Sequence, residues 1–138
     1  MQKSKQICKK TFDTVRRYLL TKKGKEKNYP LDSLALALQS YRWQQRVCLG
    51  EMVSKPIWPT RGIPAGSATA VAELALLLNS AINHLKQAMP KALHYVHVDD
   101  ISTTISSEKY EELEEQARRA GEIYKTDFQD KAGLIFAP

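Results

Sequence analysis

The segment ALHYVHVDDISTTI, residues 92–105, places two acids between two runs of β-forming residues. Aromatic and β-branched residues favour strands, and Asp is a common turn residue. The pattern therefore predicts a β-hairpin with Asp99 and Asp100 at its tip. Neighbouring carboxylates repel each other unless a cation or hydrogen-bond donors neutralise them, so the pair is a candidate magnesium site. The alternative is that both acids are only polar turn residues.

Amphipathic helices are predicted before and after this hairpin. The longer helix spans residues 68–88, and its predicted buried stripe is Val71, Leu74, Ala75, Leu78, Ile82 and Leu85. The second helix begins after Ser106 or Ser107, and its predicted inner stripe is Tyr110, Leu113, Ala117, Ala120 and Tyr124. Strands interleaved with helices indicate an α+β fold, a small antiparallel sheet with helices packed on one face.

Shorter elements are predicted elsewhere. In chain order they are a strand at 6–8, a short helix opened by Asp13, a basic loop at 22–29, a helix at 31–41, a hairpin of 46–49 with 53–57 around Gly50, and a last strand at 133–136. All of these elements fit one small domain.

A tight loop is predicted at residues 61–67, which read RGIPAGS. Gly62 and Gly66 permit close approach of a ligand to the backbone, and the loop leads into a helix N-terminus, whose dipole attracts phosphate. No Gly-Lys-Ser/Thr follows, which excludes a P-loop. An ordinary connection between a strand and a helix is the alternative interpretation.

Positive charge is concentrated at the start of the chain. Residues 1–30 carry ten Lys or Arg against two acids, a net charge of +8, whereas the whole chain carries +6. Such a segment favours a polyanionic partner, of which nucleic acid is the commonest. The alternative is a solvated, poorly ordered basic start.

The sequence indicates an intracellular protein without a membrane span. Cys8 and Cys48 lack the Cys/His spacing of a zinc site and are expected to be reduced thiols. The most apolar stretch, residues 68–85, is interrupted by Glu73, Asn79 and Asn83. No secretory signal follows Met1, and no membrane partner is expected.

Four short segments occur in the order and spacing of reverse transcriptase motifs. They are TFDTV at 11–15, RGIPAGS at 61–67, YVHVDDI at 95–101 and AGLIFAP at 132–138. The chain therefore resembles the polymerase palm of that family over nearly its whole length. The resemblance implies RNA-templated DNA synthesis as the parent activity. The second interpretation is a non-catalytic retroelement remnant that at most binds nucleic acid through its basic half.

The resemblance also implies roles for particular residues. Asp99 and Asp100 match the catalytic, metal-binding pair, for which the cofactor is Mg²⁺. Phe12 matches the aromatic gate that selects deoxynucleotides, and Gly66 and Ser67 match the loop that contacts nucleotide and template. In the family, two magnesium ions activate the primer 3′-hydroxyl and stabilise the leaving pyrophosphate. The implied partners are a template-primer and deoxynucleotides.

The chain departs from the family pattern at several positions. Ile7 stands five residues before Phe12, where the family has its first metal-binding Asp. Ala65 replaces the usual Gln, and His97 replaces Tyr or Phe. The Lys expected after Gly133 is not reached, and fingers and thumb would lie outside residues 1–138. We therefore expect an incomplete palm domain that does not polymerise alone.

The remaining histidines and tryptophans are expected to be structural. His84, His94 and His97 are assigned ordinary strand and surface roles, because His94 and His97 have opposite strand parity and cannot share a ligand. Trp43 and Trp58 are expected to pack in the core or at a sheet edge. Stacking on bases is their alternative role.

Overall fold

The structure is a computed structural model that describes residues 2–7 and 11–135. Its strands are β1 (Gln2–Ile7), β2 (Cys48–Leu49), β3 (Met52–Val53), β4 (Leu93–His97) and β5 (Asp100–Ile105). Its helices are α1 (Thr11–Thr14), α2 (Arg17–Glu26), α3 (Leu31–Ser40), α4 (Ala70–Ala88) and α5 (Tyr110–Ile123), followed by a π-helical segment (Tyr124–Lys131). The fold is α+β, as the sequence predicts, with two small antiparallel sheets where the sequence analysis predicts one.

The larger sheet has the strand order β1-β5-β4, and both pairs are antiparallel. Along the central strand β5, Ile101, Thr103 and Ile105 are buried, whereas the residues between them are half-exposed. This alternation shows that one face of β5 packs against the core, where α5 contacts it, and that the other face is open.

The core is built around α4, but its buried face differs from the predicted stripe. Leu74, Leu78 and Leu85 are buried as predicted. Val71 is 52% exposed, which contradicts the prediction, and Leu77 is buried instead. The physical reason is that α4 packs against α2 on one side and against α5 and the π-helical segment on another. A helix with neighbours on two sides buries more than one narrow stripe.

The start of α5 extends into solvent. The helix begins at Tyr110, three residues after the predicted cap Ser107, and the Ser107 hydroxyl accepts the Lys109 N–H at 3.2 Å. Tyr110 is 77% exposed, so the predicted inner stripe is wrong at this end. Ala120 and Tyr124 are buried as predicted, and Leu113 is half-buried against the core, whereas Ala117 is exposed. The predicted stripe is therefore correct at three of its five positions.

The basic loop predicted at 22–29 is wrong, because α2 continues to Glu26. Its buried residues Leu20 and Gly24 face α3, and a Cβ at Gly24 would lie 2.9 Å from Leu34. This close helix contact orders the lysines that follow. The predicted cap by Asp13 is also wrong, since Asp13 lies inside α1 and no side chain caps α2.

The small β2–β3 ribbon is shorter than predicted. Gly50 adopts a φ of 59° in its turn, and an isolated bridge between Gln45 and Ile57 replaces the outer part of the predicted hairpin. Trp43 and Trp58 are 67% and 60% exposed, so of the two predicted roles, packing in the core or at a sheet edge, the core is excluded. The ribbon is too short to cover them.

The last predicted strand does not form over the described part of residues 133–136. Gly133, Leu134 and Ile135 lie in no strand, and Phe136 lies outside the described residues. The Leu134 N–H instead donates to the Phe128 carbonyl at 3.0 Å, which folds this segment back on the π-helical segment.

Candidate functional site

The candidate site begins at the tip of the β4–β5 hairpin. His97 pairs with Asp100, and Val98 and Asp99 form the two-residue turn between them. Asp99 therefore lies in the turn itself, and Asp100 opens the central strand of the sheet. Both residues are half-buried. The turn chemistry thus places two adjacent carboxyl groups at one end of the sheet.

The turn holds Val98 in the left-handed region, with a φ of 55°. A β-branched residue rarely adopts this conformation, and such strain costs about 1–3 kcal/mol. Val98 packs against the core, which compensates for part of that strain. The strain is therefore located directly beside Asp99.

Strand β1 places Ile7 beside Asp100, at the same end of the sheet. Ile7 pairs with Asp100, and directly paired residues of antiparallel strands have Cα atoms about 5 Å apart. Within residues 2–7 and 11–135, no three His, Cys, Asp or Glu residues lie close enough together to hold a metal ion. The site therefore offers the Asp99–Asp100 pair, with an isoleucine at the neighbouring position.

Phe12 is joined to the glycine loop by backbone hydrogen bonds. The Ile63 N–H donates to the Phe12 carbonyl at 2.8 Å, and the Gly62 N–H donates to the Val15 carbonyl at 2.8 Å. Phe12 itself is half-buried against the core. The structure therefore brings Phe12 and the loop together, although they are about fifty residues apart in the sequence.

Gly62 is required by the packing of the chain against itself. Its φ is 82°, and a Cβ at this position would lie 2.8 Å from the Asp13 carbonyl oxygen. Its N–H donates to the Val15 carbonyl, so this N–H is not available to a ligand. Gly66 differs, since it is exposed and a Cβ there would have no neighbour within 4 Å.

Ser67 is held by a buried polar network at the start of α4. The Tyr41 hydroxyl donates to the Glu73 carboxyl group at 3.1 Å, and the Thr69 hydroxyl donates to the same group at 2.8 Å. The Tyr41 oxygen is then left to accept from Ser67, 2.9 Å away. Glu73 is fully buried. This network fixes the end of the loop that carries Gly66 and Ser67.

The other end of the loop is held by Arg17, whose side chain is buried. Its guanidinium donates to the carbonyl oxygens of Gly62 (2.7 Å), Pro59 (2.9 Å), Arg61 (3.2 Å) and Tyr41 (2.8 Å). Sequence reasoning missed this residue because arginines usually lie at the surface. The available signal was its spacing, since Arg17, Leu20 and Gly24 fall on one buried helical face.

A second cluster lies away from the hairpin and was also missed. His84 on α4 and Lys131 both pair with Asp127, and the Lys131–Asp127 distance is 2.6 Å. Asp127 is buried, and burial opposes its ionisation. Hydrogen bonds from Lys131 and His84 outweigh that effect and hold the pKa of Asp127 below its ordinary value. A cleft of about 170 Å³ opens beside this cluster.

The two histidines of β4 have different environments. His94 donates from Nε2 to the Met89 carbonyl (3.1 Å) and lies 3.1 Å from the Thr103 hydroxyl through Nδ1. His97 is exposed, and its ring stacks on Tyr95 at a centroid distance of 6.5 Å. As their opposite parity predicts, the two rings do not converge on one ligand.

The comparisons with known proteins assign no family. Neither a protein-family model nor a curated protein matches the chain. Over residues 2–7 and 11–135, every helix is too short or too polar to cross a lipid bilayer.

Proposed function

We propose that the chain is a portion of the palm of a reverse-transcriptase-type polymerase, whose parent activity is RNA-templated DNA synthesis. The observation that supports this proposal is the pairing of Ile7 with Asp100. It brings the position expected for a first metal-binding acid beside the two candidate acids. The bond from the Ile63 N–H to the Phe12 carbonyl joins a second pair of candidate regions, the gate position and the glycine loop.

The proposal assigns each candidate residue a role. Asp99 and Asp100 are the carboxylates for Mg²⁺, Phe12 is the gate for the deoxynucleotide sugar, and Gly66 and Ser67 contact the nucleotide. The partners are a template-primer and deoxynucleotides. In such polymerases Mg²⁺ stabilises charge on the transferring phosphoryl group.

The acids at the hairpin tip do not fit two metal ions. Two-ion chemistry needs more carboxylates than this pair supplies, and the hydrocarbon side chain of Ile7 cannot coordinate a cation. Asp13 cannot be assigned to that role, because it lies in α1 with an exposed side chain. We therefore assign no catalytic step to this chain by itself.

The same observation favours a second candidate function. A remnant that has lost a metal ligand could still bind nucleic acid through its basic first part, residues 1–30, which carry a net charge of +8. This second function requires cationic groups on an accessible surface, and it does not require a metal ion.

Primer extension tests the proposal that the chain lacks a complete catalytic centre. The purified chain, given Mg²⁺, an RNA template, a DNA primer and deoxynucleotides, is expected to give no templated incorporation, because the third carboxylate is absent. The matched variant is Asp99→Ala. Incorporation above background by the wild-type chain, abolished in Asp99→Ala, would contradict this account of Ile7.

A further inference from the structure

A basic groove of about 480 Å³ runs along α2, away from the hairpin tip. We call it the α2 groove and define it by Arg17, Tyr18, Lys22, Lys25 and Arg42. Tyr18, Lys22 and Lys25 recur at i, i+4 and i+7, so they lie on one helical face. Arg42 reaches the groove from the residues that follow α3.

The residues that line the α2 groove include four cations and no carboxylate. Glu26, the acid of α2, is bonded to Lys23 at 2.7 Å. Burial first, and then the nearby charge of Arg42, lower the pKa of the Arg17 guanidinium below its ordinary value. The like charges therefore oppose one another, and an anion in the groove would relieve that repulsion.

Tyr18 gives the groove an aromatic surface. Its side chain is 63% exposed, although it lies on the same helical face as the lysines. An accessible ring beside cationic side chains is the arrangement that binds single-stranded nucleic acid, because a base can stack while its phosphates are neutralised. Neither a simple anion nor a polyphosphate would use the ring.

We propose that the α2 groove binds the backbone of single-stranded nucleic acid, with Lys22, Lys25 and Arg42 contacting phosphates and Tyr18 stacking on a base. The face from Tyr18 to Lys25 is about 10 Å long at 1.5 Å per residue. The inference rests on the second candidate function and deepens it by naming the surface.

A pair of charge reversals tests the location. Binding of a fluorescent single-stranded oligonucleotide of about 12 nucleotides is measured by anisotropy over a range of salt concentrations. Lys22→Glu/Lys25→Glu is expected to weaken binding at least tenfold at low salt and to reduce the slope of log affinity against log salt by about 1.4. The control, Lys91→Glu/Lys125→Glu, changes the net charge equally at exposed sites outside the groove and is expected to have less than a threefold effect.

A second pair of variants tests the ligand class. Tyr18→Ala is expected to weaken oligonucleotide binding about fivefold, which corresponds to the low end of base stacking, about 1 kcal/mol. Inorganic polyphosphate should bind Tyr18→Ala and wild type equally. Tyr110→Ala, at a tyrosine that is 77% exposed elsewhere, should leave both ligands unaffected.

Three other results would each overturn a different part of the proposal. Equal losses in the two charge-reversal variants would overturn the α2 groove and leave the second candidate function standing. An unchanged oligonucleotide affinity in Tyr18→Ala would mean that the α2 groove binds polyanions in general and does not recognise nucleic acid. If the wild-type chain bound no oligonucleotide even at low salt, both the groove and the second candidate function would be wrong.

Discussion

Gly62 and Gly66 lie in the same loop, residues 61–67, but their surroundings differ: Gly62 packs against backbone, whereas Gly66 has open space around it. Gly62→Ala places a Cβ 2.8 Å from a backbone oxygen at a φ of 82°, whereas Gly66→Ala places one in open space. We expect Gly62→Ala to lower the free energy of unfolding by more than about 2 kcal/mol and Gly66→Ala to change it by less than about 1 kcal/mol. Urea unfolding of both variants measures the difference. Equal losses would mean that the close approach to Asp13 does not exist.

Val98 offers a test of strain at the hairpin tip. Replacing Ala by Gly normally costs about 0.5–1 kcal/mol in a strand, because Gly has more conformational freedom to lose. An Ala variant in a strand is therefore normally more stable than the Gly variant. At a φ of 55° this ranking should disappear, so Val98→Gly is expected to be at least as stable as Val98→Ala. The same pair at the exposed His97 should show the normal order. Thermal or urea unfolding measures all four variants, and a normal order at Val98 would rule out the strained turn.

At the residue scale, sequence reasoning found the residues whose neighbours in the chain explain them. The hairpin with Asp99 and Asp100 at one end follows from the β-forming residues on both sides of the pair. Arg17 and Glu73 were missed because charged residues are usually solvated. The hydrogen-bond partners of Arg17 lie 24–45 positions away, and Tyr41, a partner of Glu73, lies 32 positions away. A local sequence pattern does not identify such distant partners.

At the scale of elements, Asp127 connects α4 to the π-helical segment, and this connection depends on pH. A carboxyl group whose pKa is depressed in the folded state stabilises the fold above its ordinary pKa, 3.8 here, and that contribution is lost as pH falls through the folded value. Asp127→Asn should therefore be less stable than wild type at pH 6. The difference should shrink below about pH 4.

Urea unfolding of wild type and Asp127→Asn at several pH values measures this dependence. Asp130→Asn is the control, because Asp130 is exposed on the same segment and its substitution should cost less than about 0.5 kcal/mol. A deficit in Asp127→Asn that is constant from pH 6 to pH 3 would show that the carboxylate contributes packing alone.

The helices and the main hairpin were predictable as elements, but their limits were not. Period-3.6 and period-2 patterns indicate α4 and the β4–β5 hairpin directly. β1 extends to Gln2 because β5 pairs with it over six residues, a long-range contact. The loop predicted at 22–29 is wrong because Lys and Glu are good helix formers, and the packing of Gly24 on Leu34 offsets the low helix propensity of that one glycine.

Contacts between distant parts of the molecule cannot be read from local sequence patterns. The resemblance links Phe12, the glycine loop and the hairpin by the order of their motifs alone, and it stays a prediction that the three form one site. Hydrogen bonds join Phe12 to the loop, and the sheet register brings Ile7 to Asp100. The α2 groove could not be predicted, because it depends on Arg42 reaching α2 across the α2–α3 packing.

If Ile7 stands where the proposed palm would have a metal ligand, an aspartate at this position should create a metal site with Asp99 and Asp100, and Mn²⁺ titration of Ile7→Asp measures this. Lys5→Asp is the control, since Lys5 pairs with Ser102, two residues along the same strand. We predict that Ile7→Asp binds Mn²⁺ at least tenfold more tightly than wild type or Lys5→Asp, and that adding Asp99→Asn removes the gain. Mn²⁺ binding by Ile7→Asp no tighter than by Lys5→Asp would contradict the account.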